Sequence, residues 1–241
     1  GPRADVGAHL GEAMAGGDFN ADGVADLAVA APDTVLEGQQ AAGRVWILPG
    51  QPGSGPVTTG QVVIDRGDDE VPRAPMSRER LGSALAMGDF NGDGVTDLAI
   101  GGPGGGTETV PQAGTVLLAF GSTKDPMTGD GRYLGVVEIQ RGLPEIAGDA
   151  ERGARFGASL AVADFDGDAY DDLAIGSPGA TVNGVRGAGD LVIVFGGPDL
   201  VAEGAEDPMD PMKRLPATLK LDRTQILDQA AGAVPGEPSS R

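Results

Sequence analysis

The stretch DFNGDGVTDLAI, Asp89 to Ile100, crowds three aspartates and an asparagine into nine residues directly before an apolar run. Counting Asp89 as position 1, oxygen-bearing side chains fall at positions 1, 3, 5 and 9, namely Asp89, Asn91, Asp93 and Asp97. The carbonyl of Val95 is available at position 7, and Gly94 at position 6 supplies a tight turn. Calcium takes several oxygen ligands in an adaptable shell, and a short loop turned by glycine can wrap it. The spacing therefore predicts a calcium loop.

The same pattern occurs twice more. Asp18, Asn20, Asp22, the Val24 carbonyl and Asp26 form one copy; Asp164, Asp166, Asp168, the Tyr170 carbonyl and Asp172 form the other. In the third copy Ala169 replaces the glycine, while Asp166 brings a charged side chain where the others have asparagine. An EF-hand would need a bidentate glutamate at position 12, where Val29, Ile100 and Ile175 stand, and helices on both sides. The flanks here read as strands, so each loop is expected inside a hairpin. Four such side chains repel one another without a cation among them, so three calcium ions, one per loop, are expected to order the hairpins.

The loops sit inside a longer repeat. LGEAMAGGDFNADGVADLAVAAP from Leu10, LGSALAMGDFNGDGVTDLAIGGP from Leu81 and FGASLAVADFDGDAYDDLAIGSP from Phe156 align throughout, with the leading aspartates 71 and then 75 residues apart. Each unit shows four short strand signals bounded by glycine and proline. In the third unit these are ASLAVAD, DLAIGSP, GDLVIVFGG from Gly189 and ATLKLDR from Ala217. Other fourth-strand signals are QVVIDR from Gln61 and LGVVEIQR from Leu134. A four-stranded unit repeated at this period predicts an all-β chain in which each unit is a blade of a β-propeller. The blades are expected at about 10–66, 81–142 and 156–223, with 224–241 leading toward a next blade. Small residues such as Ala84, Ala86, Ala158 and Ala161 suit innermost strands that crowd a central channel.

In this order of motifs the chain resembles the FG-GAP repeats of integrin alpha subunits and related bacterial proteins. The FG element stands as Leu10-Gly11, Leu81-Gly82 and Phe156-Gly157, and the GAP element as Ala30-Ala31-Pro32, Gly101-Gly102-Pro103 and Gly176-Ser177-Pro178. The resemblance implies a propeller with calcium in its hairpin loops and, opposite them, loops that take part in ligand and partner binding. Those loops lie between the GAP element and the third strand: APDTVLEGQQAA, GPGGGTETVPQA and SPGATVNGVRGA.

Propellers close with four to eight blades, and this chain has signals for three. Further blades are expected from another chain, a second copy or the rest of a longer precursor. The net charge of -19 opposes nucleic acid and anionic membrane surfaces. No apolar run is long enough for membrane insertion. Cysteine is absent and His9 is the single histidine, outside the repeats, so nucleophilic catalysis has few components. The expectation is a non-enzymatic, secreted or cell-surface recognition and adhesion module that binds a protein or glycan, its signal peptide already removed. The alternative is an accessory propeller of a secreted hydrolase. Trp46 is expected in the core rather than as a sugar-stacking platform.

Overall fold

The structure is a computed structural model that describes residues 7–107, 109–123, 133, 135–144, 146, 148–198, 200, 206–207, 210–214 and 224–228. Each repeat folds as one four-stranded antiparallel sheet in sequence order. The first comprises β1 (Met14–Gly17), β2 (Asp26–Ala31), β3 (Arg44–Leu48) and β4 (Val62–Ile64), and the second β5 (Ala84–Gly88), β6 (Asp97–Gly102), β7 (Thr115–Phe120) and β8 (Gly135–Ile139). The third contains β9 (Ser159–Ala163), β10 (Asp172–Ser177) and β11 (Asp190–Val194). Beyond β11, a two-residue β12 (Glu206–Asp207) pairs with β13 (Asp210–Arg214), and β14 (Thr224–Asp228) closes the third sheet against β11.

That last pairing carries the third sheet as far as Asp228. The segment from residue 224 begins with a strand of the third blade, in which Ile226 stands opposite Val192 and packs on the core. The ATLKLDR run at 217–223 lies outside the described residues. In TQILD the adjacent Ile226 and Leu227 point to opposite faces of the sheet, and Ile226 is the one that packs on the core.

The three first strands lie side by side, β1 against β5 and β5 against β9, and the sheets stack face to face behind them. This is a three-blade arc of a propeller whose sheets do not close into a ring. Successive residues of a strand point to opposite faces, so each blade serves two seams. Ala28, Ala30, Val45 and Ile47 of the first sheet meet Leu98, Ile100, Leu117 and Ala119 of the second. Ala99, Val116, Leu118 and Ile139 of the second meet Leu173, Ile175, Val192 and Val194 of the third. The middle sheet is covered on both faces, which is why TVLLAF of β7 is apolar without alternation and buried throughout. Burying such Leu, Ile and Val side chains contributes about 1.5–3 kcal/mol each.

The FG and GAP elements are the joints of this stack. The amide of Gly157 donates to the carbonyl of Gly176 in its own blade, while its carbonyl lies so close to Gly101 of the preceding blade that a Cβ there would stand 2.1 Å away. The preceding residue, Phe156, is buried and forms a parallel bridge to Gly114 of that blade, as Leu81 does to Gly43. A bulky apolar residue followed by glycine thus locks each blade onto the one before.

Trp46 differs from expectation. It lies in register with Met14, Val29 and Val63 on the face of the first sheet that points away from the second, half-buried, with the Arg44 guanidinium 5.8 Å from its ring. The corresponding residues of the middle sheet, Ile100 and Leu117, are fully covered by the first blade.

Candidate metal centre

Each acidic loop joins the first strand of a blade to the second, so all three emerge at the same end of the stack. The leading aspartate accepts from the backbone amides that follow it. Asp18 takes those of Asp22 and Gly23 at 3.0 and 2.8 Å. Asp89 takes those of Gly92, Asp93 and Gly94 at 2.8, 3.1 and 2.9 Å. Asp164 takes those of Gly167, Asp168 and Ala169 at 2.6, 3.1 and 3.0 Å.

Positions 3 and 5 follow the same plan. Asn20 and Asn91 accept the amides of Asp22 and Asp93 through Oδ1 and donate through Nδ2 to the same aspartates at 3.1 Å. Asp166 accepts the amide of Asp168 at 3.3 Å. Asp22, Asp93 and Asp168 in turn accept the amides of Val24, Val95 and Tyr170. Each loop thus turns its backbone amides onto its own side-chain oxygens. In the third loop, oxygens of Asp164, Asp166 and Asp172 lie within 4.8 Å of one another.

The position 9 aspartates tie each loop to its sheet. Asp26 accepts from the amides of Phe19 and Gly50, Asp97 from those of Phe90 and Gly121, and Asp172 from those of Phe165 and Gly196. All three are buried. Burial pushes the Asp97 carboxyl up to about 8, against the pull of its two backbone donors, and the charges of Asp93 and Asp89 push the same way. Burial likewise raises Asp26, with Asp22 and Asp18 adding to it.

The glycine at position 6 is a backbone requirement. Gly23 and Gly94 have φ of 86° and 83°, and Ala169 occupies the same left-handed region at 75°. Position 4 is left-handed too, with Ala21, Gly92 and Gly167 at 55°, 73° and 83°.

Comparison with known proteins follows these landmarks. The FG-GAP repeat model matches residues 10–48, 81–118 and 156–194, each match starting at an FG element and running through the loop into the third strand. The chain is an FG-GAP repeat protein. It is 35% identical over 194 residues to human phosphatidylinositol-glycan-specific phospholipase D, covering 80% of this chain and 21% of that protein. It is 32% identical over 180 residues to Drosophila melanogaster integrin alpha-PS2, covering 71% of this chain and 12% of the integrin. Xenopus laevis integrin alpha-4 is 30% identical over 176 residues, covering 71% and 14%. The chain spans about a fifth or less of these relatives' lengths.

At the opposite end of this FG-GAP arc lies a second polar cluster that the sequence did not signal. His9, ahead of the first FG element, hydrogen-bonds through Nδ1 to Asp33, and Arg80 of the second blade reaches both Asp33 and Glu12. Arg80 holds the same place before its own FG element, so this is a lock across the seam. A deeper lock joins Arg66 to Glu79 at 2.7 Å and to Glu138 at 2.9 Å, with Arg73 also paired to Glu138. The loops between the GAP elements and the third strands share this end. Two of them are pinched by isolated bridges, Leu36 to Gln39 and Val182 to Val185. Among the described residues no helix is long and apolar enough to cross a membrane.

Proposed function

We propose that this chain is a calcium-stabilised propeller segment that serves extracellular recognition of a protein or glycan through the loops opposite its calcium end. The observation that carries the calcium reading is the thrice-repeated turn of backbone amides onto a leading aspartate, with a buried aspartate at its base. The donor set fits the ion. It is entirely oxygen, partly carboxylate, as calcium prefers.

The residues that would hold calcium are Asp18, Asn20, Asp22, the Val24 carbonyl and Asp26; Asp89, Asn91, Asp93, the Val95 carbonyl and Asp97; and Asp164, Asp166, Asp168, the Tyr170 carbonyl and Asp172. Bound calcium supplies the positive charge that lets these carboxylates stay ionised at close quarters. The leading aspartate orders the loop amides, and the buried one fastens the loop to strands two and three. Binding to the folded state alone adds about 2.7 kcal/mol per site when free calcium is 100 times the dissociation constant. Sites built from one short loop match the millimolar calcium outside cells, which supports a secreted or cell-surface location.

The recognition reading draws on the integrin relatives and on three loops emerging at one end of the arc. A second reading is favoured by the phospholipase relatives: the chain acts as an accessory propeller of a larger hydrolase. The test is a glycan array and a capture experiment with the chain in calcium and after chelation, beside phospholipase assays. Ligand capture that vanishes with chelator supports the recognition module. Turnover by the chain itself would contradict it.

A further inference from the structure

The calcium loops of adjacent blades are not independent in this structure. The amide of Asp171, position 8 of the third loop, donates to the carbonyl of Asp89, position 1 of the second, at 3.1 Å. The amide of Asp89 donates back to the Asp171 carboxylate Oδ2 at 2.9 Å. Both backbone polar groups of the second loop's leading aspartate are therefore held by one residue of the next blade. The neighbouring side chain extends the clasp. The Tyr170 ring lies against Gly92 at the tip of the second loop, where a Cβ would stand 2.2 Å from its Cε1. A third tie, from the Gly197 amide to the Phe90 carbonyl at 2.9 Å, fixes the residue after Asp89.

The first seam repeats only part of this. The Thr96 amide donates to the Asp18 carbonyl at 3.1 Å and the Ser122 amide to the Phe19 carbonyl at 3.1 Å, yet position 8 is there a threonine and no side chain returns the bond among the described residues. Space for the clasp comes from Gly88, the residue before Asp89. A Cβ on Gly88 would stand 2.8 Å from Asp171 Oδ2, so only glycine admits that carboxylate.

We propose that Asp171 is a positioning residue for the second calcium loop, through which occupancy of the third loop strengthens calcium binding at the second. The inference rests on the calcium reading above. Asp171 lies between two groups of the third loop's donor set, the Tyr170 carbonyl and Asp172, so an ion there orders its backbone and carboxylate together. Asp89 is then held at its main chain by the next blade and at its carboxylate by the amides of its own loop, which fixes where it stands for its own ion. Linkage is reciprocal, so the second ion favours the third to the same degree. Removing such a supporting partner lowers metal affinity by about tenfold or more.

The experiment is a calcium titration of the whole chain followed by amide NMR, reading Gly94 for the second loop and Gly23 for the first, with native mass spectrometry counting ions. Asp171→Ala is expected to move the Gly94 midpoint to about tenfold higher calcium and leave Gly23 within about twofold. Asp171→Asn keeps an acceptor for the Asp89 amide and is expected to restore the Gly94 midpoint. Asp166→Ala, which removes a side chain of the third loop's donor set, is expected to shift Gly94 in the same direction and covers the case in which Asp171→Ala fails to fold. A Gly94 midpoint unmoved by Asp171→Ala or by Asp166→Ala overturns the coupling and leaves the calcium reading standing. No calcium-dependent shift in any loop of the wild type overturns both.

Discussion

Phe90 is 2% exposed beneath the third blade, whereas Phe165, which holds the same position in the next loop, is 48% exposed. The contrast recurs at the other end of the stack, where Leu81 is fully buried and its counterpart Leu10 is 66% exposed. Each blade covers an apolar residue of its neighbours, and the outer two lack one neighbour each within this arc. Phe90→Ala is expected to cost about 3–5 kcal/mol and Phe165→Ala less than about 1. Chemical denaturation of both variants in calcium checks this. Equal losses would mean that the exposed end is already covered, for instance by a second copy.

Gly114 and Phe156 meet backbone to backbone, and a Cβ on Gly114 would stand 2.1 Å from the Phe156 carbonyl oxygen. Its φ of 93° is also one that alanine resists. Gly114→Ala is expected to cost about 3 kcal/mol or more, because neither obstacle can be relieved by a flexible side chain. Gly53→Ala, with φ of 75° but open space around it, is the control and is expected to cost only about 1 kcal/mol. Melting curves that rank the two the other way would contradict the proposed joint.

Ala169 and Ala21 hold left-handed backbone without the freedom of glycine. Substituting glycine relieves about 1–2 kcal/mol of backbone strain and returns part of it as unfolded-state entropy. Ala169→Gly and Ala21→Gly are each expected to stabilise the calcium-loaded chain by about 0.5–1 kcal/mol. Thermal unfolding in saturating calcium is the readout, and destabilisation by either change would show that the alanine methyl packs usefully.

Acid should loosen the first seam through Glu138. Burial raises its carboxyl, but Arg66 and Arg73, with a hydrogen bond from the Thr115 hydroxyl, outweigh burial and hold it below the usual carboxylate range. A group whose folded value is depressed contributes stability above its unfolded pKa, and that stability is lost as pH falls through the folded value. Glu79, raised by burial, works in the opposite sense over the range between its two values. Glu138→Gln is expected to cost about 3 kcal/mol near neutral pH, with the difference from wild type shrinking below about pH 4. A difference that does not change with pH would remove Glu138 from the acid response.

Much of this architecture was legible because it is written three times. The repeat located the loops, the FG and GAP joints and eleven of the twelve blade strands. The twelfth was not, since ATLKLDR and TQILD are both adequate outer strands and local pattern cannot choose between them. The β12–β13 hairpin lies in a proline-bearing acidic stretch that reads as a peripheral connection. Asp171 escaped for another reason: position 8 holds Ala25, Thr96 and Asp171 in the three copies, and its partner is 82 residues away in another blade. A motif read within one loop carries no sign of contacts between loops. Trp46 was placed in the core because it sits in an apolar strand, and strand alternation does not tell whether the facing blade is present.

Each blade is proposed to hold one calcium ion in its acidic loop. Native mass spectrometry of the chain in calcium and again after chelation tests it most directly. Three ions per chain, lost on chelation together with a fall in thermal stability, is the predicted result. A chain that binds no calcium and melts at the same temperature with and without chelator would contradict it.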